Sequence, residues 1–405
     1  MYISRSMEKT VREISGSFPV LLVTGPRQVG KTTMLQALRE EARRYVTLDD
    51  PLVRELAVSD PGLFLQRYEP PILIDEIQYA PQLLPYVKMW VDEHRRNGDF
   101  WLTGSQVFHL MKGASESLAG RVGILNLLGL SYSEITGRSS SPFTVRQAEL
   151  AERARTARPF SLKELFRLIF RGSMPALHAS DLNNTDVFFS SYLQTYLQRD
   201  VRDLAEVGNE LSFVRFLSSV AARTGQLLNC ADLARDAGVS PPTARRWVSI
   251  LAASGIIYLL EPYHTNVLKR IVKAPKLYFL DTGLCAYLTK WTTPEALEAG
   301  AMSGAFFETW VVSEILKSYY NAGRRPPLYY YRDKDKKEID LIIDVDNTLY
   351  PVEIKLSSNP GKQSIRHFSA LANAGLPVGQ GSVICLTSEL FPIDRQNWYV
   401  PAWLI

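Results

Sequence analysis

The run Thr24-Gly-Pro-Arg-Gln-Val-Gly-Lys-Thr-Thr33 constrains this chain more than any other feature. Residues Gly25 to Thr32 fit the spacing G-x-x-x-x-G-K-[ST]. An apolar run, Val20-Leu-Leu-Val23, precedes it, and a helix-forming run, Thr33-Met-Leu-Gln-Ala-Leu-Arg-Glu40, follows. In that order a strand, a glycine loop and a helix let the backbone curl until its N–H groups face phosphate oxygens at a helix N-terminus. The spacing therefore predicts a nucleotide cradle made of Gly25, Pro26, Arg27, Gln28, Val29, Gly30, Lys31, Thr32 and Thr33. Lys31 would neutralise the β- and γ-phosphates of ATP, and the Thr32 hydroxyl would bind Mg²⁺.

Such a cradle needs an α/β framework, and the first third of the chain supplies one. Val20–Thr24, Tyr45–Leu48, Pro71–Ile74, Phe100–Thr103 and Ile124–Leu128 read as strands with helical stretches between them. That alternation predicts a largely parallel sheet. Pro71-Ile-Leu-Ile-Asp-Glu-Ile-Gln78 is a buried-type strand ending in two acids. Asp75 would hold Mg²⁺ in its outer shell and Glu76 would polarise the attacking water. An acidic pair that merely caps the strand is the alternative. Phe100-Trp-Leu-Thr-Gly-Ser-Gln106 ends a further strand, where Ser105 or Thr103 could reach the γ-phosphate or the water, unless the segment is only a polar turn. In Glu116-Ser-Leu-Ala-Gly-Arg-Val122, Arg121 stands just before a strand. It could reach a neighbouring subunit's γ-phosphate or form a surface ion pair.

Together these segments resemble the AAA+ ATPases. They are closer still to a prokaryotic group with a G-P-R-Q-V-G-K-T loop, an L-D-E-I-Q acidic strand, a T-G-S turn and an S-L-A-G-R box. This chain has Gly25–Thr32, Ile74-Asp-Glu-Ile-Gln78, Thr103-Gly-Ser105 and Ser117-Leu-Ala-Gly-Arg121, departing in the acidic strand only at Ile74. The likeness extends through nearly the whole chain, including Arg199-Asp200-Val201 and Leu280-Asp-Thr-Gly283. The resemblance implies nucleotide bound between subunits of a homo-oligomer, such as a hexamer, with Arg121 as the finger supplied in trans. Members of the group also carry a C-terminal domain of uncharacterised function.

Length and composition set the remaining bounds. The 405 residues suffice for two to three domains, and 46% hydrophobic, 22% charged and 11% aromatic content excludes a disordered or collagen-like chain. Cys230, Cys285 and Cys385 are too few and too scattered for a disulfide framework or a zinc site, so a reducing cytoplasm is expected. No apolar run is long enough to span a membrane, and MYISRSMEKT does not read as a signal peptide. The five histidines, at 94, 109, 178, 264 and 367, suggest no ligand cluster. The aromatic run Tyr329-Tyr-Tyr331 reads as strand core rather than a base-stacking platform. The net charge is +4, but it is local: Ala221 to Lys276 holds eight Lys/Arg against three Asp/Glu. A local excess of +5 fits a face for an anionic partner.

The chain is expected to divide into an ATPase core at 1–140, a helical lid at 141–215, a winged helix-turn-helix at 216–290 and a restriction-endonuclease-like α/β domain at 291–405. A linker at Gly137-Arg-Ser-Ser-Ser-Pro142 marks the first boundary, and Gly172 and Pro175 break the helical region. In the third part, Asn229–Ser240 reads as a helix and glycine turn, and Pro241–Ser254 as a second helix with Ser240 as its N-cap. Ala244, Val248 and Leu251 share one face, Thr243, Arg246 and Ile250 lie mostly off it, and Arg245 is at its margin. Strand-like runs at Ile256–Leu260 and Lys276–Leu280 flank a basic loop with Lys269, Arg270 and Lys273. Such a unit can put its second helix in a DNA major groove and its wing on phosphates, although winged helices also serve as packing modules.

In the last part, Phe306–Tyr319 reads as a helix that carries Glu308 on the face of Val311, Val312 and Ile315. Lys337-Glu-Ile-Asp-Leu-Ile-Ile-Asp344, a turn at Asp346-Asn347 and Tyr350-Pro-Val-Glu-Ile-Lys-Leu356 read as a hairpin that brings Asp340 near Glu353. Asp340, Glu353 and the Ile354 carbonyl, with Glu308, could form an oxygen-rich Mg²⁺ site, with Lys355 orienting or deprotonating a water. This D-x(n)-E-x-K pattern resembles the PD-(D/E)-x-K nuclease fold, with Ile339 where the motif has Pro. A charged, solvated strand face is the alternative. Three functions follow: an oligomeric ATPase acting on duplex or branched DNA, a nucleotide-switched protein-interaction platform with an inert tail, or an ATP-controlled metal-dependent nuclease.

Overall fold

Val20-Leu-Leu-Val-Thr24 is buried along its whole length, so the strand that leads into the glycine loop must lie inside a sheet with both faces covered. The computed structural model describes residues 2–105, 118–138, 140–179, 184–196, 210–264, 274–373 and 375–405. It builds the first part from α1 (Glu8–Ser17), β1 (Val20–Thr24), α2 (Lys31–Leu38), β2 (Arg44–Thr47), α3 (Pro51–Ser59), α4 (Pro61–Arg67), β3 (Ile72–Asp75), α5 (Leu83–His94), β4 (Phe100–Gly104) and β5 (Val122–Asn126). The five strands are parallel in the order β2-β3-β4-β1-β5. Side chains alternate between the faces. Val20, Leu22, Ile72, Ile74, Phe100 and Leu102 pack with Phe64, Leu83, Val87 and Val91 of α4 and α5. Leu21, Val23, Leu73, Trp101 and Leu125 face a larger core shared with the rest of the chain.

β5 begins two residues earlier and ends two earlier than its apolar run suggests. Ile124 on this edge strand is 40% exposed, whereas Leu127, Leu128 and Leu130 leave the strand and are buried. Among the described residues the helices α6 (Tyr132–Ile135), α7 (Gln147–Thr156), α8 (Leu162–Arg171), α9 (Pro175–Ala179) and α10 (Thr185–Tyr196) follow. The break expected at Gly172 and Pro175 separates α8 from α9. Arg199-Asp200-Val201 lies outside the described residues.

The third part runs α11 (Glu210–Ala221), β6 (Gln226–Leu227), α12 (Cys230–Ala237), α13 (Pro241–Ala253), β7 (Ile257–Leu260) and β8 (Lys276–Phe279), with the strands in the antiparallel order β6-β8-β7. Asn229 caps α12, Gly238 ends it in the left-handed region at φ +69°, and Ser240 caps α13 through the Thr243 amide. Ile250 corrects the sequence reading: it is 8% exposed and sits in the core with Ala244, Trp247, Val248 and Leu251. Trp247 widens the buried face by packing edge-on against Phe213 and Phe216 of α11, at ring centroid distances of 5.0 and 5.2 Å. Arg245, Arg246 and Ser249 are left exposed.

After α14 (Thr282–Leu288) and α15 (Pro294–Ala299), the long α16 (Ser303–Asn321) enters a six-stranded sheet of β9 (Leu328–Arg332), β10 (Glu338–Val345), β11 (Thr348–Ile354), β12 (Gly381–Cys385), β13 (Phe391–Pro392) and β14 (Asn397–Pro401). Its order is β13-β14-β12-β11-β10-β9. The β10–β11 turn sits where expected, with Asp346 and Asn347 both left-handed at φ +53° and +57°. Tyr330 is buried in this sheet and Tyr329 and Tyr331 pack at its side, as strand core.

The C-terminal domain is not loosely appended. Glu314 of α16 accepts the Tyr132 amide at 2.7 Å and pairs with Lys317 at 2.7 Å, while Lys317 donates to the Leu130 carbonyl at 3.0 Å. Both side chains are almost fully buried. The Leu280-Asp-Thr-Gly283 motif is a second junction. Asp281 caps α14 through the Leu284 amide and accepts both the amide and the hydroxyl of Ser173 at 2.7 Å. A Cβ on Gly283 would stand 2.8 Å from the Arg171 carbonyl, so this close approach requires glycine.

Candidate functional site

The glycine loop sits at the carboxyl end of β1, between β4 and β5. Gly25 has φ +141°, and a Cβ there would lie 2.0 Å from the Leu127 carbonyl oxygen, so no side chain fits. Gln28 and Gly30 are also at positive φ, +61° and +87°, which completes the curl. Gly30 heads α2 in the left-handed region and provides no side-chain cap. The first-turn amides of α2 at Thr32 and Thr33 thus receive no side-chain cap from Gly30, the arrangement that suits an anion. Pro26 and Val29 are buried, Arg27 is half-buried and Gln28 and Thr33 are exposed. The buried Lys31 donates from Nζ to the carbonyls of Gly25 and Pro26, at 3.0 and 2.8 Å.

Asp75, at the end of β3, is the hub of the site. It accepts the hydroxyls of Thr32 at 2.6 Å, of Tyr45 at 3.2 Å and of Thr103. Burial, with the Asp75 carboxylate beside it, pushes the Tyr45 phenol up. The next residue, Glu76, is itself left-handed at φ +59°, and its amide donates to Thr103 Oγ1 at 3.1 Å. This turn aims Glu76 away from Asp75 and toward Ser105 and Gln78. Ser105 Oγ donates to Glu76 Oε2 at 3.4 Å, and Gln78 Nε2 donates to the same carboxylate oxygen. The sheet order explains the meeting: β4 lies between β1 and β3, so Thr103 and Ser105 bridge the loop and the acids.

Two buried acceptors here have no hydrogen-bond partner among the described residues, Gln78 Oε1 and Asn126 Oδ1. Asn126 ends β5 beside Gly25, and Gln78 stands beside Glu76. An orphaned acceptor inside a protein is costly unless a ligand or water meets it. Hard oxygens on Thr32 and Asp75, a lysine at the loop and unmet acceptors around it fit a magnesium–nucleotide group. Sequence reasoning misses Gln78 and Asn126 as site residues. The Gln78 signal lies two residues beyond Glu76, but an isolated Asn at a strand end gives no signal.

Arg5 is missed as well. It is 4% exposed, pairs with Glu134 at 3.1 Å and donates to the carbonyls of Val29 and Leu128, each at 2.7 Å. It pins the back of the glycine loop to the segment after β5. Nothing in its sequence setting distinguishes it from any other arginine.

Arg121 is not at this site in its own chain. It precedes Val122, which pairs with Val20 at the amino end of the parallel sheet, while the loop leaves Thr24 at the other end. One strand length, roughly 15 Å, separates the two. Its guanidinium binds both carboxylate oxygens of Asp92 on α5, at 2.5 and 3.1 Å, and that hydrogen bonding holds Asp92 below the usual carboxylate range. Ser117 of the S-L-A-G-R box, Gln106 and His109 lie outside the described residues.

The basic third part is less exposed than its charge suggests. Arg223 pairs with Asp236 at 2.6 Å and Arg235 with Asp232 at 2.8 Å. Lys276 is 3% exposed and points inward. Arg245 and Arg246 remain on the outer face of α13, and Lys269, Arg270 and Lys273 lie outside the described residues.

The C-terminal acids do gather, but around lysines. Lys355 Nζ lies 2.7 Å from Glu353 and 3.3 Å from Asp340, and the Ile354 amide donates to Asp340 at 3.0 Å. Glu308 accepts Tyr278 Oη at 2.6 Å and Lys276 Nζ at 3.4 Å. Burial and the Asp340 charge raise both Glu308 and Glu353, the latter to about 7. Among the described residues, no group of three His, Cys, Asp or Glu side chains is placed to hold a metal ion. The expected grouping of Glu308, Asp340 and Glu353 around a metal is corrected in this respect: the Lys276 ammonium stands between Glu308 and Asp340.

Comparison with known proteins agrees with the phosphate-loop geometry. The AAA domain family matches residues 17–136, and two families described as domains of unknown function, DUF8612 and DUF4143, match 162–295 and 303–405. The chain therefore carries an AAA-type P-loop ATPase domain. Uncharacterized protein Rv2008c of Mycobacterium tuberculosis and uncharacterized protein Mb2031c of Mycobacterium bovis are each 31% identical to it over 386 residues, covering 95% of this chain and 80% of theirs. Among solved structures, the Walker-type ATPase PABY2304 of Pyrococcus abyssi matches 71% of this chain and 96% of its own at 15% identity, with a TM-score of 0.42. A DNA replication initiation factor matches 58% of this chain and 81% of its own at 13% identity, with a TM-score of 0.26. No described helix is long and apolar enough to cross a membrane.

Proposed function

The chain belongs to the same family as Rv2008c and Mb2031c, and from the geometry of its phosphate loop we propose that it is a Mg²⁺-dependent ATPase that couples hydrolysis to binding of DNA. The observation that carries the reading is the convergence of Lys31, Thr32, Asp75, Glu76, Gln78 and Ser105 on one loop at the carboxyl end of the sheet.

Each residue has a task set by its position. The first-turn amides of α2 at Thr32 and Thr33 receive the β-phosphate, and Lys31 exchanges its two loop carbonyls for phosphate oxygens. Thr32 and Asp75 would hold Mg²⁺, which when bound neutralises phosphate charge. Glu76 takes a proton from the attacking water, and the unmet Gln78 Oε1 orients that water by accepting its second hydrogen. Ser105, bonded to Glu76, keeps the carboxylate aimed. Arg121 leaves Asp92 to complete the site of a neighbouring copy, which makes the working unit a homo-oligomer.

The third part is read as a winged helix-turn-helix. Its support is the succession α11, α12, α13 and hairpin, with Arg245 and Arg246 exposed on the capped second helix. Gly255, at the end of this helix pair, touches the phosphate loop: a Cβ there would meet Pro26 Cγ at 2.8 Å. A change in the loop on hydrolysis thus acts directly on the unit that carries the two arginines. The acids of the C-terminal domain do not support cleavage in the docked state, because lysines already fill them.

ATP turnover measured without DNA and with duplex, single-stranded and branched DNA tests the proposal, with Glu76→Gln as the control that binds but does not hydrolyse. DNA-stimulated turnover is expected. Turnover indifferent to every DNA would leave a nucleotide-switched protein platform as the better reading.

A further inference from the structure

Lys276 opens β8 of the central hairpin, yet its side chain ends in another part of the molecule. Its ammonium lies 2.6 Å from Glu338, 3.4 Å from Glu308 and 3.7 Å from Asp340. Tyr278, two residues on and facing the same way, donates to Glu308 at 2.6 Å. One strand of the hairpin therefore presents a cation and a hydroxyl to an acidic centre built from α16 and β10. The hairpin is docked there by backbone bonds as well: the Tyr263 amide donates to the Tyr330 carbonyl at 2.6 Å, and the Tyr330 amide to the Glu261 carbonyl at 3.0 Å.

A buried lysine ordinarily loses its proton. Here three carboxylates, on Glu338, Glu308 and Asp340, stand 2.6 to 3.7 Å from the nitrogen and favour the ammonium. The charges around it still do not balance. Among the described residues, four carboxylates, on Glu308, Glu338, Asp340 and Glu353, meet three cations, on Lys276, Lys355 and Arg332. With all four carboxylates ionised one negative charge is left over, and Glu353 Oε2 is buried with no hydrogen-bond partner among the described residues. Replacing the single charge of Lys276 by a divalent ion would bring the centre to neutrality.

We propose that Lys276 is the resident cation of this acidic centre, an internal plug from the hairpin that keeps a divalent metal of the Mg²⁺/Mn²⁺ class out while the hairpin is docked. The plug makes the centre an electrostatic latch between the hairpin and the C-terminal domain. Metal uptake and hairpin docking are then mutually exclusive, since both need the space among Glu308, Glu338 and Asp340. The proposal does not involve the phosphate loop, so the presence or absence of ATP hydrolysis leaves it standing.

The test uses the full chain with Asp75→Asn throughout, so that metal at the phosphate loop is not counted. Mn²⁺ binding is followed by the electron paramagnetic resonance of the free ion. The parent is expected to show no uptake that Asp340→Asn abolishes. Lys276→Gln should gain one Mn²⁺ that binds at least about tenfold more tightly than any parental site, and adding Asp340→Asn should remove it. Without metal the glutamine variant should unfold at a lower temperature than the parent and regain the difference in Mn²⁺, while the parent is unmoved. Lys276→Arg keeps the charge and should take up no metal. Asp340-dependent Mn²⁺ uptake by the parent would overturn the proposal, as would a folded glutamine variant that binds none. If the glutamine variant folds only when refolded with Mn²⁺, that supports the proposal; refolding failure both with and without Mn²⁺ contradicts it.

Discussion

Lys31, Glu76 and Gln78 have separate jobs in the proposed reaction, and single substitutions should separate them. Lys31→Ala removes the charge that meets the phosphates, so ATP binding itself should be lost. Glu76→Gln keeps the size of the side chain and its neighbours Ser105 and Gln78, so ATP should still bind while turnover falls by about 10²- to 10⁴-fold, the usual worth of a general base. Gln78→Ala should lower kcat and leave the affinity for ATP nearly unchanged, because its amide meets Glu76 and the attacking water rather than the nucleotide. Arg5 is a different case, since its role is to hold the loop rather than touch substrate. Arg5→Ala would leave Glu134 buried without its partner, at a cost of about 3–5 kcal/mol in unfolding free energy. Glu353 gives a pH signature. Its carboxyl is pushed up to about 7 from an ordinary 4.5 by burial and Asp340, so the folded state holds its proton more tightly than the unfolded chain does. That stability is fully present below about pH 4.5 and is lost as pH rises through 7. Thermal unfolding across this range should show a falling midpoint in the parent and a flatter profile in Glu353→Gln.

At the scale of elements, α13 carries the DNA reading. Ser240 and Pro241 start it, its buried face is fixed by Trp247 on α11, and Arg245 and Arg246 point outward. Arg245→Ala with Arg246→Ala should weaken binding to any DNA sequence. The salt dependence of affinity should become shallower by about one unit of slope for each phosphate that an arginine no longer neutralises. A direct titration at several salt concentrations reads this, and circular dichroism shows whether the helix is kept. The element scale also shows why some of the molecule is legible in the sequence. The phosphate loop is legible because its glycines, its lysine and its flanking periodicity are all local. The cap of α13 and the turn at Asp346-Asn347 are legible for the same reason. Ile250 is misplaced by periodicity because a helix flanked by both Phe216 and the hairpin buries a wider stripe than i, i+4, i+7 implies. Lys276 reads as part of a basic surface because sequence gives charge but not direction. Only the docking of β8 against α16 reveals that it faces acids 32 to 64 residues away. Arg5 and Glu134 are invisible because their partnership spans 129 residues.

At the scale of the whole molecule, one core joins all parts. The sheet face bearing Leu21, Val23 and Trp101 continues into the helical region, the central unit and α16. The phosphate loop touches Arg5 on one side and Gly255 on the other, so events there have short routes to the central unit. Arg121, at the far end of the sheet and paired with Asp92, requires a second copy if it is to meet a nucleotide. Lys31→Ala should be inactive for want of a phosphate site, and Arg121→Ala for want of a finger. Mixing the two should restore turnover, because a neighbour's intact Arg121 can complete an intact loop. A mixture as inactive as its parts would contradict a shared site. The most direct measurement for the account as a whole is calorimetric titration of ATP, with Mg²⁺ present, into the full chain and into Lys31→Ala. The account predicts saturable binding of one ATP per chain that Lys31→Ala abolishes. Absence of binding to the full chain, or binding that survives the loss of Lys31, would contradict it.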